Sequence, residues 1–182
     1  MRFVYLMCRR IRRNRQGAIA VEFALLAPIF FVLMMGILET AIMFGASIVV
    51  DGAVNDSARS IRTGQAQLSG DPITTFRTRL CDSLVAFVTC NDMTFDVRTF
   101  ADFGSISLTV TLDENGDPVD ENGNVIVQTF NPGGAGDIVM VRVVYIWDFI
   151  TPLIGQLYNP GGTNSVMLVS STVFRTEPFE GL

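Results

Sequence analysis

A long apolar segment near the N-terminus, residues 18–38, most constrains how this chain can fold. Only Glu22 is charged within it, and about 20 apolar residues suffice for a helix to cross the ~30 Å hydrocarbon core of a membrane. A signal peptide has a shorter apolar region, about 7 to 15 residues, that ends in a cleavage site of small residues. The segment therefore predicts one transmembrane helix, residues 18–40, rather than a secretory signal.

Charge is divided unevenly on the two sides of this segment. The chain has no lysine, and six of its 13 arginines precede Gly17. The chain after Gly17 contains seven arginines and 18 acidic residues, which gives this part a formal charge of −11. Because basic residues beside a membrane span stay in the cytoplasm, residues 1–17 are predicted to be a cytoplasmic leader. Residues 41–182 are then predicted to lie on the opposite, outer side of the membrane. An acidic body without clustered cations predicts no nucleic-acid partner.

The helical pattern continues beyond the membrane and is followed by a second helix. Apolar residues recur at helical spacing up to Ile61, and Gly64 is a typical helix stop, so residues 41–63 are predicted to continue the first helix. Asp71 is a good N-cap, and Pro72 suits the first helical position after it. The second helix is predicted to carry an apolar stripe made of Ile73, Phe76, Leu80, Leu84 and Phe87.

Four strands are predicted after the second helix, at residues 93–100, 105–112, 137–147 and 165–174. The first two alternate apolar with polar side chains. The last two are rich in β-branched residues, which favours central positions, and residues 148–162 between them predict a short helical or irregular crossover. Helices followed by an antiparallel sheet of about four strands indicate an α+β fold, with the long helix laid on the sheet.

The cysteines fit this topology. Cys8 lies in the basic leader, while Cys81 and Cys90 lie in the part predicted to be outside, where oxidation is permitted. Their spacing favours a local disulfide. Two buried thiols remain the alternative, because sequence does not give the Cα separation that a bridge requires.

Catalytic and metal-binding patterns are weak. The chain has no histidine to handle protons and no G-x-S-x-G motif, so neither an enzyme nor a cofactor is expected. Asp113, Asn115 and Asp117 resemble the start of a calcium loop, but Pro118 and Asn124 occupy positions that require glycine and glutamate. A solvated hairpin tip is the preferred interpretation, with no metal. Residues 131–137, NPGGAGD, predict a turn rather than a phosphate cradle, since no lysine or capped helix follows.

Glu22 needs an explanation of its own. An acid at the centre of a membrane helix costs on the order of 2 to 3.5 kcal/mol and usually has a functional partner. If the chain is cut after Gly17, Ala18 becomes the first residue and Glu22 the fifth, one turn from a new ammonium group or facing that of a neighbour. Glu22 would then fix the register between packed helices, and the small Ala20 and Ala24 would let them approach closely. The alternative is a hydrated glutamate at the membrane interface.

Four stretches of the sequence resemble those of one bacterial family. QGAIAVEF at residues 16–23 looks like the cleavage region of a prepilin, with a basic leader, a glycine before the cut and a glutamate at position five. ARSIRTGQAQ at 58–67, GDIVMVRVVYIW at 136–147 and VFRTEPF at 173–179 are similar to the helix end, central strand and closing motif of TadE-like proteins of tight-adherence (Tad, Flp-type) pili.

This resemblance implies a pilin-like fold and cleavage between Gly17 and Ala18 by the inner-membrane prepilin peptidase. It further implies a minor pilin or pseudopilin that helps to assemble an adhesive pilus together with other pilins and the assembly platform. The chain would cross the bacterial inner membrane once, with its outer domain in the periplasm. Major Flp pilins are very short, so a domain of this size argues against the bulk filament subunit. A membrane-anchored adhesin or ligand-binding receptor is the alternative function.

Overall fold

One long helix determines the architecture. In the computed structural model, which describes residues 16–84, 88–113, 115–158 and 162–179, helix α1 spans Gln16–Arg62. A helix of this length extends about 70 Å at 1.5 Å per residue. Its most apolar stretch is entirely unburied and is long and apolar enough to cross a membrane, whereas further along Ala46, Val50 and Ile61 are buried in a core. The first half of α1 is therefore a single-pass membrane anchor, and the second half is part of a folded domain.

Helix α2, Pro72–Asp82, begins as the sequence predicts. The Asp71 side chain accepts a hydrogen bond from the backbone N–H of Thr74 at 3.2 Å, and Pro72 occupies the first turn. The predicted apolar stripe is only partly used: Phe76 and Leu80 are buried, while Ile73 is 39% exposed. Leu84 lies beyond the end of α2 and packs against the core, and Phe87 lies outside the described residues.

A four-stranded sheet packs against α1. The strands are β1 (Met93–Phe100), β2 (Thr111–Leu112), β3 (Pro118–Val119), β4 (Thr129–Phe130), β5 (Ile138–Asp148) and β6 (Ser165–Arg175), with a short helix α3 (Gly155–Tyr158) between β5 and β6. The sheet order is β4-β1-β5-β6, and β2 pairs with β3 in a separate hairpin. One long helix, a second helix and a four-stranded sheet confirm the α+β class and are consistent with a pilin-like arrangement.

Three details differ from the sequence-based expectation. β4 pairs with β1 in parallel, so the sheet is mixed rather than wholly antiparallel. The strand predicted at 105–112 is wrong except for Thr111–Leu112. The Ser107 carbonyl accepts a hydrogen bond from the Arg142 side chain and not from the backbone of a neighbouring strand. The sequence predicts a central position for β6, but this strand lies at the edge of the sheet. Its apolar content is explained by its contact with α1.

The two faces of the sheet are both covered. Apolar side chains of β1 and β5 on one face form the main core with α1 and α2. On the other face Asp96 and Arg142 lie opposite each other in register, and both are buried. Asp96 accepts a 2.6 Å hydrogen bond from Arg98, and burial lowers the pKa of Arg142. The Arg142 guanidinium also donates to the Ser107 carbonyl, whereas Asp96 Oδ2 and Arg142 Nε have no hydrogen-bond partner among the described residues.

A disulfide joins Cys81, in the last turn of α2, to Cys90, just before β1, with their Cα atoms 5.4 Å apart. The bridge is thus the correct one of the two alternatives left open by the sequence. It connects the second helix to the first strand of the sheet.

Loss of this bridge is expected to destabilise the outer domain. Replacing both Cys81 and Cys90 by serine should lower the free energy of unfolding by about 2 to 3 kcal/mol, because the unfolded chain gains loop entropy. Urea titration of the full chain in detergent, followed by the fluorescence of the only tryptophan, Trp147, measures the change. Cys8→Ser is the control and should have no such effect. Two free outer thiols, titrated in denaturant from material alkylated at lysis, would disprove the bridge.

Candidate functional site

The predicted cleavage site lies in the first turns of α1. Gly17 and Ala18 are both exposed. A Cβ atom added at Gly17 would meet nothing within 4 Å, and the backbone there is helical. The fold therefore places no demand on glycine at this position. A requirement for Gly17 must come from something that acts on the chain, such as a peptidase.

Glu22 lies on the same exposed stretch of helix. Ala18 and Glu22 are four residues apart, as are Ala20 and Ala24, so each pair shares one face of α1. All four are exposed. Within the part of the chain that the structure describes, no salt bridge reaches Glu22. The proposed pairing with an ammonium group and the packing role of the two alanines stay predictions.

The family-like motifs at 58–67 and 173–179 meet at the far end of α1. Arg62 forms a salt bridge with Glu177 at 3.3 Å, and its carbonyl accepts the Glu177 N–H at 2.8 Å. Gly64 has a φ of +76°, and a Cβ there would lie 2.5 Å from the ring of Phe179, so only glycine fits. Contacts between these two motifs therefore hold the C-terminal segment against the end of the helix.

The glycine-rich and acidic turns bind their own backbone. In the 131–137 turn the Asp137 carboxylate accepts the N–H of Gly134, which occupies a donor that an anion would need. Asp113 accepts the N–H groups of Asn115 and Asp117, and the bond from Asp117 is the main reason that its pKa is lowered. The segment containing Asp113, Asn115 and Asp117 is the turn of the β2–β3 hairpin.

A contact that the sequence did not reveal fastens the β5–β6 crossover to α1. Glu39 is only 9% exposed, and its carboxylate accepts the backbone N–H groups of Ile150 and, at 2.8 Å, Thr151. One helical turn earlier, a Cβ on the buried Gly36 would lie 2.6 Å from Ile154. The only sequence signal was a second acid at the other end of the apolar segment, because the two partners lie more than a hundred residues apart.

Removal of the Glu39 carboxylate is expected to loosen this contact. In Glu39→Ala the buried N–H of Thr151 and the partly buried N–H of Ile150 lose their acceptor, which should lower the free energy of unfolding by about 1 to 3 kcal/mol. The same urea titration measures it. Glu177→Ala is the matched control, because its ion pair with Arg62 is more than half exposed and such pairs contribute only about 0 to 1 kcal/mol. Equal losses in the two variants would show that Glu39 does not hold the crossover.

Comparison with known proteins supports the resemblance noted above. The family model described as TadE-like protein matches residues 17–59. The match begins at Gly17 and covers most of α1, and it ends before the sheet. No curated protein and no solved structure matches the chain.

Proposed function

We propose that this chain is a minor pilin or pseudopilin of a tight-adherence pilus, processed after Gly17 and held in the bacterial inner membrane with its outer domain in the periplasm. The observation that carries the proposal is the TadE-like match over the helix, beginning at the glycine that the fold itself does not need. A TadE-like protein is expected to take part in the assembly of such a pilus.

The shape of α1 supports an assembly role. Its membrane half projects from the domain and exposes large apolar side chains on all sides, among them Ile19, Phe23, Phe30 and Leu33. A helix that only anchors a domain needs an apolar surface and nothing else. Here the surface also carries a carboxylate beside two small residues, an arrangement that suits close packing with other helices.

The proposed partners follow from this arrangement. The prepilin peptidase would remove residues 1–17, and other pilins or pseudopilins would then pack against the exposed helix. The assembly platform would move the subunit within the membrane. The protein itself would perform no chemistry, so its contribution to surface attachment would be structural.

A chimera tests this proposal against the adhesin or receptor alternative. In cells that lack the wild-type chain, residues 1–32 are replaced by the matching part of an unrelated transmembrane helix of the same topology, so that Gly36 and Glu39 keep their contacts with the crossover. Surface pili are then counted by electron microscopy. A pilin role predicts that the chimera fails to restore pili although its outer domain is present in the membrane fraction. Restoration by the chimera would show that the helix is only an anchor and would favour the alternative.

A further inference from the structure

The crossover between β5 and β6 carries an apolar surface that the fold leaves uncovered. Phe149–Tyr158 contains no charged side chain. Ile150 is 92% exposed and Leu157 is 76% exposed, with Leu153 exposed between them. Large apolar side chains grouped in this way mark a surface that contacts lipid or another protein.

This surface is continuous with the membrane half of α1. Ile154 and Leu157 line a shallow groove of about 310 Å³ together with Leu33, Gly36, Ile37 and Thr40. Leu33 lies five residues before Leu38, the last residue of the apolar segment, which corresponds to about 7.5 Å along the helix axis at 1.5 Å per residue. Since the apolar segment 18–38 has the length of a membrane span, the tip of the crossover lies beside its last turns, at the depth of the lipid chains.

Part of the crossover backbone is hydrogen-bonded within the protein. Apart from the two N–H groups bound by Glu39, the Asn164 side chain donates to the carbonyls of Phe149 and Thr151 and accepts the N–H of Gly155. Irregular backbone is tolerated at membrane depth only where its polar groups are satisfied by protein. Several polar groups of this backbone are therefore paired within the protein rather than with water.

We infer that Phe149–Tyr158 inserts into the membrane leaflet on the side of the outer domain, where lipid chains cover Ile150, Leu153 and Leu157. The protein is then held by two elements, the transmembrane helix and this loop, and Glu39 joins them. Two attachment points fix how the outer domain is tilted against the membrane. The inference rests on the membrane anchor and holds whether or not the chain assembles into a pilus.

Leu153, at the tip of the crossover, has a left-handed backbone conformation. Its φ is +70°, the only positive value found for a non-glycine residue in the described part of the chain. This conformation is rarely adopted by a leucine, and strain of this kind concentrates in segments that serve a function. Its position at the uncovered tip agrees with a loop shaped for contact.

Lipid quenching of a fluorophore tests the inference. The full chain with Cys8→Ser and Leu157→Cys is labelled with NBD and placed in nanodiscs at one chain per disc, so that no second copy can cover the loop. Leu68→Cys is the matched control, since Leu68 is a half-exposed leucine at the far end of α1. We expect the Leu157 label to lose most of its emission in lipids with brominated chains and to resist iodide, and the Leu68 label to behave oppositely.

Two results would overturn the inference. A Leu157 label quenched by iodide and not by brominated lipid would place the loop in water, and a label shielded from both would mean that protein covers it. Ile150→Cys repeats the test at the most exposed position, so a folding defect in one variant does not decide the outcome. A urea transition of Trp147 fluorescence that matches the wild type, measured on each cysteine variant before labelling, shows that the chain is folded.

Discussion

Replacing Glu22 by glutamine is expected to stop pilus assembly while leaving the single subunit inserted and folded. Removal of a charge from the span makes insertion easier, and the core of the outer domain begins near Met43, about 30 Å along the helix at 1.5 Å per residue. If Glu22 pairs with the ammonium of Ala18 or of a neighbour, the variant leaves that cation unpaired at low dielectric. Breaking a buried pair in this way costs about 3 to 5 kcal/mol.

Two kinds of measurement, one of folding and one of assembly, are made in the same cells. Membrane abundance and protease resistance of the outer domain should match the wild type, whereas crosslinking to other pilins and surface piliation should be lost. Glu177→Gln, which removes an exposed carboxylate outside the span, is the control and should assemble normally. Ala24→Leu should also weaken assembly, because a bulky side chain on this exposed face keeps a second helix away.

Normal piliation of Glu22→Gln would mean that Glu22 is a hydrated residue at the interface, as the alternative interpretation holds. A loss of protease resistance would mean that Glu22 supports the fold of the subunit itself. Either result would remove the register-setting role from the account.

Substitution of Gly17 is expected to block processing almost completely. Gly17→Leu should leave the full-length precursor in the membrane, since a bulky side chain next to the cut excludes the chain from the peptidase. Because nothing lies within 4 Å of a Cβ at Gly17, the change should not disturb the helix. Gly52→Leu is the matched control, as Gly52 is also an exposed glycine of α1 with open space around it. Intact mass distinguishes the precursor from the shortened chain.

An unchanged mass of Gly17→Leu relative to the processed wild type would contradict the predicted cleavage. A precursor that accumulates in both glycine variants would point to a general effect on the helix instead.

Elements with a strong local pattern could be predicted from the sequence. The long apolar repeat of α1, the cap formed by Asp71 and the β-branched run of β5 each depend on residues close together in the chain. The fourth strand could not be found in this way, because Thr129–Phe130 is too short to show a period and gains its place by pairing with β1. Residues 105–112 alternate apolar and polar side chains as a strand does, yet the Ser107 carbonyl accepts a hydrogen bond from the Arg142 side chain.

The candidate site residues also differ in whether they could be predicted from the sequence. Gly17, Ala18 and Glu22 are recognised from a local motif, and the fold shows only that they are accessible on α1. Glu39 could not be assigned from the sequence, because its role depends on the crossover between β5 and β6 returning to the helix. A carboxylate that binds backbone N–H groups leaves no pattern in the residues it binds, since every residue except proline offers the same donor.

The N-terminal residue of the mature protein tests the central claim most directly. The full-length chain, expressed in cells that make the pilus and purified from their membranes, is analysed by N-terminal sequencing and intact mass. A pilin-type subunit predicts that the sequence begins at Ala18, with Glu22 as the fifth residue and residues 1–17 absent. A chain that begins at Met1 and is nevertheless active in surface attachment would contradict the account and identify α1 as a simple anchor.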